Sequence, residues 1–296
     1  MPEKKKIILT VTNDLSYDQR MIRICGSLAK AGYEVLLVGR WKPRSIALKK
    51  EAFRQKRLWC FFQKGKAFYL EYNLRLFFYL AFAKCHAICA IDLDTILPVL
   101  WAGRLRGREL VFDAHEHYTE TPEVVDRPTV KAIWNRVANY AVPQFTHCYT
   151  VCQSLADIFE ELYNNTFTVV RNVPLARPLP VMEDHSDVRI LLYQGVLNEG
   201  RGLEALIAAM QRVEGAQLWL AGEGDRSFEL REQVREQQLE DRVRFLGYLA
   251  PVELKKITER AYLGFNLLEN RGLSYYYSLA NKFFDYVQAQ VPALNM

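Results

Sequence analysis

The chain has 296 residues, 50% apolar and 25% charged, and a net charge of +5 from 39 basic and 34 acidic side chains. That balance excludes a disordered, collagen-like or coiled-coil protein, and the length leaves room for two domains, each with its own core. The six cysteines are too sparse for a disulfide scaffold, and neither Cys85–Cys89 nor Cys148–Cys152 has a second pair to complete a zinc site, so free thiols in a reducing cytoplasm are expected.

The opening MPEKKK runs into IILTVT, an apolar stretch too short for a signal-peptide core, and the longest apolar run elsewhere is Leu76 to Ala83. A bilayer span needs about 20 apolar residues, so no transmembrane helix is expected. Ile7 to Thr12 reads as a buried strand. Asp18 to Ala31 reads as an amphipathic helix with Met21, Ile24, Leu28 and Ala29 on one face and Gly32 as its stop, and Tyr33 to Val38 as a second strand. The junction Thr12 to Asp18 holds no glycine, which argues against a dinucleotide cofactor there. From Arg40 to Lys66 ten Lys/Arg stand against one acid, Glu51, and the segment 40–72 interleaves cations with Trp41, Trp59, Phe61, Phe62, Phe68 and Tyr69. This mixture suits an anionic membrane surface, or else a long loop whose aromatics pack on their own domain; no nucleic-acid-reading module accompanies it.

A helix follows at about 67–84. Strands are expected at Ala87–Ile91, Glu109–Phe112, Cys148–Val151 and Thr168–Arg171, with helices at about 95–105, 129–141 and 153–163. Such βα alternation implies a parallel sheet covered on both faces. Directly after ELVF comes Asp113-Ala114-His115-Glu116-His117, whose alternate residues point together if the chain is extended. The spacing allows a metal pair without an evident third ligand, a cleft histidine that orients a sugar or a proton, or a histidine simply hydrogen-bonded at a strand end. Residues 174–187 (PLARPLPVMEDHSD) carry three prolines and no periodicity, and read as a linker.

The alternation then restarts. Strands are expected at Arg189–Tyr193, Gln217–Leu220, Val243–Phe245 and Leu263–Leu267, and helices at about 202–212, 226–238, 251–260 and 279–289. The chain thus reads as α/β, two tandem doubly wound domains with ligands in the cleft between them. The boundaries are 1–175, a linker at 176–188, and 189–296, where the second domain is incomplete and a new strand begins after Pro292. Gly195 to Gly202 (GVLNEGRG) nearly fits a P-loop, but Arg201 replaces its Lys and Gly202 its hydroxyl residue, so nucleotide hydrolysis of that type is rejected. A strand–Gly-loop–helix unit with a forked cation still suits a phosphate. Gly222-Glu223-Gly224 reads as a plain βα turn. In SLANKFFDY, Ser278 is expected to cap a helix whose first turn holds Asn281 and Lys282, with Asp285 on nearly the same face and Phe283, Phe284 and Val287 toward the core.

In this order the segments NDLSYDQRMIRICGSLAKAGYEVLLVG, FDAHEHY, TVCQSLADIF with VVRNVP, YQGVLNEGRGLEALIAAM, LWLAGEGD, VRFLGYL and SLANKFFDYVQAQVP resemble the GT-B glycosyltransferases, specifically the retaining family 4 or group 1 type, over nearly the whole chain. The resemblance implies two Rossmann-like domains, a nucleotide-sugar donor held mainly by the second and a glycan or glycolipid acceptor mainly by the first. Arg201 falls where the family has a cation contacting the donor diphosphate, beside Gly195 and Gly202. Lys282, with Asn281 at the helix start, is a second phosphate contact. Asp285 matches the carboxylate that holds the ribose, and His115 matches a histidine beside the transferred sugar. Neither metal nor resident cofactor is implied, and nucleic acid is not a partner. The setting expected is polysaccharide or glycolipid assembly, in the cytoplasm or peripherally at the inner membrane face. Three departures stand out: Tyr277 occupies the place of the first paired glutamate, with Glu269 farther upstream; Val196 replaces a common Arg; and family members run on past residue 296. An inert membrane-associated remnant or partner protein, and a sugar-nucleotide epimerase, are the rival readings.

Overall fold

The computed structural model describes residues 4–16, 18–43, 45–176, 178, 188–270 and 272–296. The chain divides into two compact units, Met1–Asn172 and Val173–Met296. Most of the stretch 176–188 read as a linker lies outside the described residues.

In the first unit β1 (Lys6–Thr10), β2 (Glu34–Arg40), β3 (Arg54–Leu58), β4 (Ala87–Ile91), β5 (Glu109–Ala114), β6 (His147–Thr150) and β7 (Phe167–Val169) form one sheet in the order β3-β2-β1-β4-β5-β6-β7. All its pairs are parallel. The helices are α1 (Gln19–Lys30), α2 (Gly65–Phe82), α3 (Ile96–Arg106), α4 (Pro122–Val125), α5 (Pro128–Ala141) and α6 (Gln153–Tyr163). Strand order reverses between β1 and β4, the place where such sheets receive ligands beyond their C-terminal ends. The start of α1 is fixed by Asp18, whose carboxylate accepts the Met21 N–H at 2.9 Å. Met21 and Cys25, one turn apart, then bury against Leu9, Leu37 and Cys89.

β3 corrects the sequence reading. The segment RQKRL lay within the basic stretch, with no strand expected, yet it pairs in register with Leu36–Arg40. It lacks apolar alternation because it is an edge strand, and cations suit an edge. Its charges are also engaged locally: Arg57 donates to the carbonyls of Asp14 (2.6 Å) and Ile46 (2.7 Å), and Lys56 Nζ sits 4.4 Å from the Tyr79 ring. Phe68 and Tyr72 turn inward, and the Tyr72 hydroxyl donates to the Val11 carbonyl.

The second unit repeats the winding with β8 (Arg189–Gln194), β9 (Ala216–Ala221), β10 (Val243–Gly247), β11 (Leu263–Asn266) and β12 (Ala293–Asn295), in the order β10-β9-β8-β11-β12. All pairs are again parallel, and β12 is the strand expected after Pro292. The helices are α7 (Leu203–Ala209), α8 (Ser227–Glu236), α9 (Pro251–Thr258), α10 (Leu273–Tyr276) and α11 (Asn281–Gln288). The expected α/β architecture of two doubly wound units is the one observed.

α11 is rotated from the expected setting. Lys282, Tyr286 and Ala289 face inward, Phe283 and Phe284 are only partly covered, and Val287 is exposed. The cause is Tyr286: its fully buried hydroxyl lies 3.0 Å from the Leu192 carbonyl and 3.3 Å from that of Phe265, pinning the helix across β8 and β11. Residues four apart share a helix face, so Lys282 is carried inward with it. Ser278 does not cap this helix; Ala280 occupies the cap position and has no side-chain acceptor to offer.

The exits of β8 and β9 lie against each other: the Gly195 N–H donates to the Ala221 carbonyl at 2.9 Å. A Cβ on Gly222, whose φ is +149°, would stand 1.9 Å from the Gly195 oxygen. Gly222→Ala is therefore expected to destabilise the protein by about 3 kcal/mol, since neither backbone can give way. Urea melts would show the lower midpoint; an unchanged one would mean that the two loops move apart freely.

Candidate functional site

In the second unit the strand order reverses between β8 and β11, and the Gly-rich loop leaves β8 there. The loop after β11 is tied to it, the Glu269 N–H donating to the Gly200 carbonyl at 3.0 Å. α11 brings Lys282 to the same edge. Its Nζ lies 3.2 Å from where a Cβ on Gly195 would begin and 4.0 Å from the centre of the Tyr193 ring, and it has no hydrogen-bond partner. Lys282 is only 8% exposed. Burial, with a smaller contribution from the Arg201 charge, lowers its pKa to about 7. Burial pushes the Tyr193 phenol up to about 12, so the ring beneath the ammonium stays neutral, and its hydroxyl donates to the Val196 carbonyl at 2.9 Å.

Arg201 is partly buried, its guanidinium 4.7 Å from the Tyr275 ring and its Nε without a hydrogen-bond partner. Gly202, at φ +63°, leads into α7. Asp285 accepts a hydrogen bond from Gln194 Nε2 at 2.9 Å, and Gln194 Oε1 in turn accepts from Thr258 at 2.7 Å. Buried Gln194 and Thr258 thereby brace the carboxylate from β8 and α9. Asn281 is exposed at the first turn of α11, and Val196 is half exposed on the loop. The structure thus gathers Gly195, Arg201 and Lys282 at one strand edge. Tyr193 and Tyr275, the rings beneath the two cations, were not singled out in the sequence: Tyr193 ends the apolar run ILLY and reads as core, and Tyr275 stands in SYYYS, which matches no motif.

In the first unit His115 stands beyond β5. Its Nδ1 is 3.0 Å from Asp92 Oδ2. Burial works to lower its pKa, but the Asp92 charge and ion pair outweigh this and raise it to about 9, with Arg20 opposing and Glu116 adding. Asp92 holds φ 55° and ψ −178°, a region that non-glycine residues rarely adopt, and its N–H donates to the Asp113 carbonyl at 2.9 Å. Strain at the residue that aims the carboxylate is a feature of functional sites, and sequence gave no sign of it. The alternate residues of the DAHEH run do not converge. Asp113 is buried against Arg20 at 2.5 Å, and His117 packs edge-on against Phe159 at 5.4 Å. Among the described residues the one group whose ligand atoms fall within 4.8 Å of each other is Asp92, His115 and Glu116, rather than the two histidines. No helix among the described residues is long and apolar enough to cross a membrane.

Two parallel, doubly wound sheets in tandem, each with its polar groups at the strand-order reversal, define the GT-B class of fold. Residues 182–265 match the family model described as glycosyl transferases group 1. Over that stretch of the chain the sequence is similar to the group 1 glycosyltransferases. It is 28% identical over 127 residues to the lipopolysaccharide core biosynthesis glycosyltransferase LpsD of Rhizobium meliloti (strain 1021), a stretch covering 38% of this chain and 36% of that relative. The match therefore spans about a third of the curated relative's length. Among solved structures, Anabaena Alr3699/HepE in complex with UDP and glucose superposes with a TM-score of 0.71 at 14% identity, over 98% of this chain and 80% of that one. The sucrose-phosphate synthase of Thermosynechococcus elongatus gives 0.72 at 18% identity, with the same coverage. At such identities the likeness is one of fold.

Proposed function

We propose that the protein transfers a sugar from a nucleotide-activated donor to a glycan or lipid-linked acceptor, without a metal ion and with retention of anomeric configuration. The observation that carries this reading is Lys282: a buried ammonium with no hydrogen-bond partner, beside a glycine and a second cation. Such a group is costly in an empty site and is satisfied when an anion arrives. As the bond from sugar to diphosphate breaks, negative charge gathers on the leaving group. Cations fixed at that place then stabilise the transition state more than the ground state. Arg201 and Lys282 supply the charge that a metal ion supplies elsewhere. Retention rests on the family likeness alone.

In this reading Asp285, braced by Gln194, takes a ribose hydroxyl, with Asn281 beside it at the opening of α11. His115 is the hydrogen-bond donor of the acceptor-side unit. UDP is the first nucleotide to try, because the HepE structure of the same fold holds UDP. The role in LpsD's name supports a glycolipid acceptor, and a membrane face is the setting that such an acceptor would require.

Calorimetric titration with UDP, GDP and ADP tests the donor half. We expect one of them to bind saturably, and Arg201→Ala to weaken it about tenfold, the worth of one hydrogen bond to a charged group. No binding of any nucleoside diphosphate would overturn the reading.

A further inference from the structure

α2 is apolar on two opposite sides. Phe68, Tyr72, Leu76 and Leu80, each four residues from the last, are buried against the first unit's core. Leu70, Leu74, Phe78 and Phe82 form a second stripe at the same spacing, and they are exposed. The neighbouring α3, which packs beside α2, adds exposed Trp101 and Leu105, one turn apart. These six side chains are between 48% and 83% exposed. A helix that is apolar all round is ordinarily buried all round. Here one face of it is left to solvent, and contiguous exposed apolar surface of this kind marks an interaction site.

Charge says what covers it. Lys66 and Arg75 on α2 and Arg104 and Arg106 on α3 are all exposed around the stripe, and Lys64 and Lys84 flank α2 at its two ends. The two helices contain a single acid, Glu71. It is already taken by Arg75 Nε at 2.8 Å and by the N–H groups of Phe61 (3.0 Å) and Phe62 (2.9 Å). That last contact clamps the exposed Phe61 and Phe62 onto the start of α2, and Arg75 also lies 5.4 Å from the Trp59 ring. A rim of one sign repels a second copy placed face to face with it, whereas it attracts a negatively charged sheet of headgroups.

We propose that the outer face of α2 and α3, with the Trp59–Phe62 loop clamped to it, is a docking surface for an anionic lipid bilayer. α2 lies along the interface, its apolar stripe in the acyl boundary and its cations among the headgroups. The surface moves the membrane contact away from most of the basic stretch 40–58, whose Lys56 and Arg57 are engaged within the unit. This rests on the membrane setting of the proposed function.

Flotation of the full chain with vesicles of equimolar phosphatidylglycerol and phosphatidylcholine, against pure phosphatidylcholine, tests it. The wild type is expected to float with the anionic vesicles only. Leu74→Ser with Phe78→Ser, both exposed, should lower partitioning by about tenfold or more. Arg104→Glu with Arg106→Glu should abolish the preference for anionic lipid, and both variants should keep the wild-type melting temperature. Wild-type flotation by the double serine variant, with loss on Lys49→Glu and Lys50→Glu instead, would overturn the docking face but leave the membrane setting standing. Absence of wild-type flotation overturns both. A dimer in solution that the serine variant dissolves would assign the face to self-association and overturn the lipid proposal.

Discussion

Lys282→Met is expected to weaken UDP binding roughly 30- to 100-fold at about pH 6, and at the same time to raise the melting temperature of the unliganded protein. Both effects follow from one ammonium held without a partner beside Gly195 and Arg201. In the free protein its pKa is lowered from 10.5 to about 7. In the unfolded chain the amine keeps its proton to the ordinary value, so between pH 7 and 10.5 the unfolded state binds more protons. Stability therefore rises with pH through that window, and the cost of the buried charge is fully present below it. The Met variant lacks that cost, so its advantage is largest below pH 7 and closes toward pH 10.

Binding has the opposite dependence. A diphosphate beside Lys282 holds the proton on, so above pH 7 the complex takes one up, and wild-type affinity falls by up to about tenfold per pH unit. The Met variant should show no such slope. Calorimetry in two buffers of different ionisation heat reads the proton directly. A lysine with a merely structural role predicts the reverse stability change, and a Met variant that melts below the wild type would sink the assignment.

Much of the architecture was legible because parallel strands buried on both faces read as short apolar runs, and the helices between them keep their period. What was missed has physical reasons. β3 is an edge strand made of RQKRL, so its pairing leaves no hydrophobic trace. α11 was set one residue out of phase, because Phe283 and Phe284 outweigh one tyrosine in any count of apolar residues. The hydroxyl of Tyr286 decides the matter through two carbonyls on different strands, which no local pattern records. Arg201 stood out by its place in a strand–Gly-loop–helix unit and Lys282 by its place at a helix start, and the resemblance added their roles toward a donor; the tyrosine rings under them are visible only in three dimensions. In the basic segment, composition found the charge and some of the rings. The uncovered stripe of α2 looks, in sequence, the same as its buried one.

Asp92→Asn should return the His115 imidazole from about 9 to 6.5 or below, because the groups that remain act in that direction. Burial lowers its proton affinity, and so does the Arg20 guanidinium; Glu116 alone raises it. Side-chain NMR of the ring carbons reads this without any assay of activity. At neutral pH the wild-type ring is then an imidazolium whose Nδ1 faces Asp92, so it donates a hydrogen bond and cannot act as a base. Transfer that needs this donor should hold constant up to about pH 8 in the wild type and fail above about pH 6 in the variant. The pair stabilises the fold below pH 6.5, and that stability is lost as pH rises through about 9, so the variant should melt lower chiefly on the acid side. Zinc offers the rival outcome, since Asp92, His115 and Glu116 could share an ion. A stoichiometric shift of the His115 signal on adding zinc would replace the proton by a metal and end the dyad reading. An unchanged His115 titration in the asparagine variant would show instead that the carboxylate beside the ring has no hold on its proton.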